Sequence, residues 1–120
     1  ERLKRAVIEA AKQCGRNRLM QIAKPQTWTD WISATTSIAG DSQSPESLRL
    51  MAHPDGAPLS NVNLSAGQPT QLAIGPEGGL TDSEVSAALA AGWQQVDLGP
   101  RILRVETAAT ALTAAISLRA

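Results

Sequence analysis

Leu72-Ala73-Ile74-Gly75-Pro76-Glu77-Gly78-Gly79-Leu80-Thr81-Asp82-Ser83-Glu84, residues 72–84, decides the fold. Leu72, Ala73 and Ile74 are a short apolar run of the kind buried in a parallel sheet. A glycine-rich loop, 75–79, follows with no spacer. Thr81 and Glu84 then make a full capping box, with Thr81 as N-cap and Glu84 at the third helical position. Leu80 and Val85 stand where a hydrophobic staple closes. The spacing predicts a helix to about Ala91, stopped by Gly92.

The loop's composition suits two purposes. Three glycines remove side chains, so backbone can approach a ligand closely. Pro76 fixes one φ angle and stiffens the turn. The loop lacks the Lys-Ser/Thr pair of a phosphate-binding P-loop, and its spacing is not that of the dinucleotide fingerprint. The residues alone leave open a tight strand–helix connection or a loop that offers amides to a ligand. Glu77 either binds a ligand amine or hydroxyl, or braces neighbouring amides.

Working towards the C-terminus, Gln94 to Leu98 reads as a strand ending at Gly99-Pro100. Arg101-Ile102-Leu103-Arg104 follows, then a helix over about 106–119, rich in Ala and Thr. Apolar Ile102, Leu103 and Val105 interleave with Arg101, Arg104 and Glu106, which suggests a packed loop rather than a solvated one. Arginine at such a place recognises phosphate or polarises a carbonyl, and the plainer reading is a surface ion pair.

Working towards the N-terminus, Leu48, Leu50 and Met51 read as a strand ended by the turn signal His53-Pro54-Asp55-Gly56. Residues 57–69 read as irregular and 35–47 as a surface loop. Thr27 and Asp30 resemble a weak capping box for a short helix carrying Trp28, Trp31 and Ile32, whose tryptophans read as packing. Leu19, Met20 and Ile22 are a short strand candidate before Pro25. Leu3, Ala6, Val7, Ala10, Ala11 and Cys14 recur at helical spacing, with Gly15 as the terminating residue, so 2–14 reads as an amphipathic helix. Strands alternating with helices imply one α/β domain over 1–120, a parallel sheet with helices on both faces. Ligands in such sheets sit at the carboxyl ends of strands, here at 52–56, 75–79 and 99–105.

Composition bounds the rest. There is no Phe or Tyr and there are three Trp in 120 residues, so Leu, Ile, Val and Ala must build the core. Small side chains bury little area, at about 25 cal/mol per Å², which predicts marginal stability and a partner surface that completes the fold. Eleven Lys and Arg balance eleven Asp and Glu; this argues against a general nucleic-acid binder while leaving room for a local basic patch. Cys14 is the only cysteine, so no intramolecular disulfide is possible; it reads as a small buried thiol and fits a reducing cytosol. One His and one Cys cannot make a zinc site, and no metal is expected. No apolar run approaches the roughly 20 residues of a membrane span, and no signal peptide is visible. Glu1 to Arg5 are charged and already helical in pattern, as in a chain entered in mid-domain.

Three segments together resemble the RsmE-type family, the 16S ribosomal RNA uridine-N3 methyltransferases of the SPOUT superfamily. They are Glu9-Ala10-Ala11-Lys12-Gln13-Cys14-Gly15-Arg16, Ile74-Gly75-Pro76-Glu77-Gly78-Gly79-Leu80, and Leu98 through Ala108. They occur in the family's order; residues 35–70 match loosely. Leu80 stands where phenylalanine is common, and Val105 where threonine is common, so position 105 receives no polar role.

The resemblance implies a C-terminal trefoil-knotted methyltransferase domain whose knot forms an S-adenosylmethionine pocket. It implies cofactor contacts at Leu50, Ala52 and His53, at Ile74, Gly75, Pro76, Glu77, Gly78 and Gly79, and at Leu98, Gly99, Ile102, Leu103 and Thr107. Arg104 and Glu106 are the implied catalytic pair: Arg104 stabilises the uridinate oxygen, and Glu106 accepts the N3 proton or orients Arg104. Arg16 and Arg101 are the implied RNA contacts. The resemblance further implies 16S ribosomal RNA or the small ribosomal subunit as partner, a homodimer with the Ala-rich last helix at its interface, and a cytoplasmic location. The family's RNA-binding β-barrel and the opening stretch of its methyltransferase domain have no counterpart in these residues, so the fragment alone is expected to be weak or inactive. Another SPOUT enzyme, acting on ribose 2′-O or guanine N1, and a non-catalytic nucleotide-binding module are the alternatives.

Overall fold

The computed structural model describes residues 1–38, 47–65, 67–101 and 103–119, the side chains of 36–38 and 119 excepted. Its elements are α1 (Arg2–Cys14), α2 (Trp28–Ile38), β1 (Leu48–Pro58), a 3-10 turn (Leu59–Asn61), β2 (Thr70–Ala73), α3 (Asp82–Ala90), β3 (Gln94–Asp97) and α4 (Val105–Arg119). The sheet has three strands in the order β2-β1-β3, and both pairings are parallel. α3 carries the chain from β2, past the central strand, to β3.

Alternation along β1 sorts the core into two halves. Leu48 and Leu50 point to one face, where they pack with Val96, Val62, Leu112 and Ile116. Met51 points to the other and packs with Ile32, Ala73, Val85, Ala88 and Trp93. α4 therefore covers one face, and α2 with α3 the other, so helices lie on both faces as expected. Leu50, Met51, Val96 and Leu112 are the largest side chains buried completely. Each contributes about 1.5–3 kcal/mol of transfer free energy.

All three aromatic residues sit in one cluster. Trp31 stacks obliquely between Trp28 and Trp93, at ring separations of 5.6 and 5.1 Å. The Trp28 indole N–H donates to the Glu84 carbonyl at 3.0 Å, and the Trp93 indole N–H to Thr35 Oγ1 at 3.3 Å. These bonds tie α2 to the first turn of α3 and to the start of β3. Tryptophan buried with its N–H satisfied is packing, as the sequence suggested.

Several expectations give way. Leu19, Met20 and Ile22 form no strand; they lie in an irregular segment, 55, 58 and 42% exposed, with no described neighbour to complete a ladder. The loop expected over 35–47 begins later: Thr35–Ile38 continue α2, because the Thr35 hydroxyl is buried and donates to Ile32 O at 2.7 Å. The rest of that expected loop, 39–46, lies outside the described residues. Cys14 is exposed rather than buried. α1 forms and ends at Gly15, φ 70°, as predicted, yet only Ala11 of its apolar face is buried.

The sequence reading passed over Arg49. It is buried on the α2/α3 side of β1, and its Nη1 has no hydrogen-bond partner among the described residues. A Cβ at Gly92 (φ 90°) would meet Arg49 Nη2 at 2.7 Å. Gly92 is favoured by its backbone angle, and the Arg49 guanidinium lies against it.

The turn His53-Pro54-Asp55-Gly56 does not end β1. Ala52 and Ala57 both pair with Val96, so the chain leaves the ladder and returns to the same partner. Gly56 makes the return possible: a Cβ there would lie 2.5 Å from Val96 N. Gly56→Ala is expected to destabilise by about 1–3 kcal/mol, the usual cost of overpacking, read as a lowered urea midpoint with an unchanged m-value.

Candidate functional site

Three parallel strands end on the same side, and the chain leaving each one folds over that end. Between them lies a cavity of about 490 Å³, within the 300–1,000 Å³ of small-molecule sites. Ala52, His53, Pro54 and Asp55 line it from the β1 excursion. Ile74, Gly75, Pro76, Glu77, Gly79 and Leu80 line it from the β2–α3 loop. Asp97 to Arg101, Leu103, Val105 and Ala108 line it from the β3–α4 connection.

Each wall is braced locally. The Gly79 N–H closes the glycine loop on Pro76 O at 2.8 Å, and Gly79 takes φ 79°. Gly75 is pressed against Leu80, where a Cβ would stand 3.0 Å from Cγ. The capping box is present in both directions: Glu84 N–H donates to Thr81 Oγ1 at 3.2 Å, and Thr81 N–H to Glu84 Oε1 at 3.1 Å. It fixes where α3 begins and hence where the loop stops. In the third wall Asp97 Oδ1 accepts the Gly99 N–H at 3.1 Å, an Asx turn that sets Gly99 at φ 117°. In the first wall His53 Nδ1 accepts the Asp55 N–H at 3.1 Å. The Asp55 carboxylate lies 3.8 Å from the same nitrogen, so Asp55 folds back on His53 through both its backbone and its side chain.

The lining is mixed. Apolar Ala52, Ile74, Leu98, Leu103, Val105 and Ala108 form the inner surface. Asp55, Glu77, Asp97 and Arg101 supply charge. Glu77 is exposed, and no hydrogen bond to its carboxylate is seen among the described residues.

Most predicted cofactor contacts converge here: Ala52, His53, Ile74, Gly75, Pro76, Glu77, Gly79, Leu98, Gly99 and Leu103, with Arg101 beside them. Leu50 does not. It is completely buried two residues deeper along β1, packed with Leu112 and Val96. Thr107 does not either. Val105 and Ala108, three apart, turn one side of α4 to the cavity; Thr107 lies on the next side, with Glu106, Thr110 and Ala111 along a separate shallow depression. Gly78 is exposed on the outer side of its loop, where a Cβ would meet nothing within 4 Å. Ile102 lies outside the described residues.

Neither catalytic candidate lines the cavity. Arg104 sits between two residues that do, Leu103 and Val105, with its own side chain exposed. Its carbonyl accepts the Ala108 N–H at 2.8 Å, which places it at the head of α4. Among the described residues Glu106 makes no ion pair with Arg104, so an orienting contact between them is not seen. Arg16 follows the end of α1, exposed and away from the cavity lining. No group of three or more His, Cys, Asp or Glu among the described residues is placed to hold a metal ion. No described helix is long and apolar enough to cross a membrane.

The sequence reading placed Asp55 and Val105 within ligand-facing segments without singling them out, and missed Asp97 and Ala108 as lining residues. Asp55 directly before Gly56 and Asp97 two residues before Gly99 are turn signals, and Val105 with Ala108 is a helical i, i+3 pair; these patterns stand in the sequence.

A family model described as an RNA methyltransferase domain matches residues 1–117. The chain belongs to that family. It is 43% identical to ribosomal RNA small subunit methyltransferase E of Synechocystis, over 98% of this chain and 38% of the relative. The protein of the same name from Aquifex aeolicus is 35% identical over 93% of this chain and 44% of its own. The crystal structure of the Neisseria gonorrhoeae enzyme of that name, bound to S-adenosylmethionine, superposes with a TM-score of 0.81 at 30% identity, over 98% of this chain and 46% of that one. The chain thus spans less than half the length of these relatives. The family resemblance read from residues 9–16, 74–80 and 98–108 is borne out.

Thr81→Ala removes one arm of the capping box. Stability is expected to fall by about 1 kcal/mol, measured by urea denaturation.

Proposed function

We propose that this chain is the cofactor-binding part of an S-adenosylmethionine-dependent methyltransferase that modifies uridine N3 in small-subunit ribosomal RNA. The observation that carries the reading is the cavity itself. It is lined by three strand-end loops, one of them a glycine loop leading into a capped helix. The solved relative that carries S-adenosylmethionine shares this fold. The reading includes the SPOUT trefoil knot, a cytoplasmic homodimer, and an RNA-binding portion contributed outside these 120 residues.

The residues fit a nucleoside-bearing cation. Apolar Ile74, Leu98 and Leu103 suit an adenine face. Loop backbone suits its polar edge, although the Gly99 N–H is already taken by Asp97. Carboxylates at Asp55, Glu77 and Asp97 outnumber Arg101 in the lining, which favours a positively charged ligand. When bound, the cofactor supplies an electrophilic methyl group on sulfur.

The chain's own residues hold the target and manage its proton. Arg104, between the lining residues Leu103 and Val105 in the chain, favours the anionic form of the uracil. Glu106, on the next side of α4, either takes the N3 proton or orients Arg104. Arg101 holds phosphate at the rim. Positioning of this kind lowers barriers by several kcal/mol.

Two outcomes test the reading in the full-length protein. Arg104→Ala is expected to lower kcat about 100-fold or more, the loss typical of one charge-stabilising donor, with cofactor affinity unchanged by calorimetry. Unchanged methylation refutes its role, and mass spectrometry of digested RNA distinguishes 3-methyluridine from ribose or guanine products. Glu77→Gln removes one of the lining carboxylates, so cofactor affinity is expected to fall several-fold while the thermal midpoint holds; unchanged affinity by calorimetry refutes the loop assignment.

A further inference from the structure

The neutral net charge conceals a strong asymmetry. Residues 1–27 hold seven Lys and Arg against two Glu, a net of +5. Residues 28–120 hold four against nine acids, a net of −5. The seven cations are Arg2, Lys4, Arg5, Lys12, Arg16, Arg18 and Lys24, and every one is exposed. One of them has an acidic neighbour among the described residues: Lys12, 3.7 Å from an exposed Glu9.

Geometry groups these charges. At 100° per residue, Arg2, Arg5 and Lys12 fall within an arc of about 80° on α1, with Glu9 the one acid among them. That arc is opposite the Leu3, Val7, Ala10 and Cys14 side. After the left-handed turn at Gly15, Arg16 and Arg18 continue the basic run along the irregular segment. The cavity, by contrast, is lined by three carboxylates and one arginine. A basic face and an acidic pocket on one small domain divide two tasks: the pocket takes a small cation and the face takes a polyanion.

We infer that α1 with residues 16–24 is a surface that grips the phosphate backbone of RNA, independently of sequence. The inference rests on the RNA methyltransferase reading and names the part of the chain that holds the substrate. A basic amphipathic helix also suits an anionic membrane. Here the opposite side of α1 carries Leu3, Val7, Ala10 and Cys14, with no aromatic to insert, and the basic run continues past the helix end. Both features favour RNA. Phosphate contacts of this kind fix register and orientation and leave base choice to the site.

The test is salt-dependent binding of a small-subunit ribosomal RNA transcript to the full-length protein, by anisotropy from 50 to 300 mM KCl. Each phosphate contact contributes a slope of about 0.7–0.9 in log Kd against log salt. The triple variant Arg5→Gln/Lys12→Gln/Arg18→Gln is expected to lower the slope by about 2–3 and to weaken binding at least tenfold at 100 mM. Should that variant fold poorly, Glu9→Gln serves in the opposite direction: it removes the anion beside Lys12 and is expected to tighten binding several-fold. Calorimetry with S-adenosylmethionine is run on every variant. Intact cofactor binding with an unchanged RNA slope overturns the surface and leaves the cofactor reading standing. Failure of the parent protein to bind cofactor overturns that reading, and the RNA slopes still judge the surface. Tighter binding to phosphatidylglycerol vesicles than to RNA, lost in the same variant, overturns the choice of RNA.

Discussion

The parallel pairing of β1 with a neighbour on each side is the constraint on which this domain depends. Leu50 and Met51, adjacent on that strand, anchor opposite halves of the core, and both are completely buried. Parallel order also sends all three strands out on one side. A cavity there is a consequence of topology, because no loop can leave its strand without facing the other two. A slip of one residue in β1 would turn Leu50 out of one core half and Met51 out of the other. The walls of the cavity would separate with it.

What the sequence made legible was what local chemistry controls. The α3 start was readable because Thr81 and Glu84 satisfy each other within four residues. The ends at Gly15 and Gly92 were readable because left-handed backbone favours glycine. The strand predicted at 19–22 failed because apolar residues alone do not supply a partner ladder. Leu50 and Thr107 fall outside the cavity lining for a related reason: sequence places a residue near a strand end or a helix start, and depth and side-chain direction are set by packing. Arg49 was invisible because a single arginine in an apolar strand has no local signature of burial. The cofactor and the target base were legible through the family resemblance alone; residue chemistry by itself reached no further than a ligand loop.

The aromatic cluster explains how a core poor in large side chains still positions its site. Trp28 reaches across 56 residues to the Glu84 carbonyl, in the same turn of α3 that the capping box fixes. The glycine loop is therefore held from two directions, by its own helix cap and by α2. With no other aromatic in the chain, this is where packing area and directional bonds are concentrated.

The excursion from Ala52 to Ala57 has a consequence for how such a site diverges. Both ends face Val96, so the register of the sheet is blind to what lies between them. Residues there can be exchanged, added or removed during evolution without re-indexing a single downstream pair, provided a glycine remains where the chain passes Val96. His53 and Asp55 ride on this segment. The ligand preference of one wall is thus free to drift while the scaffold beneath it stays fixed.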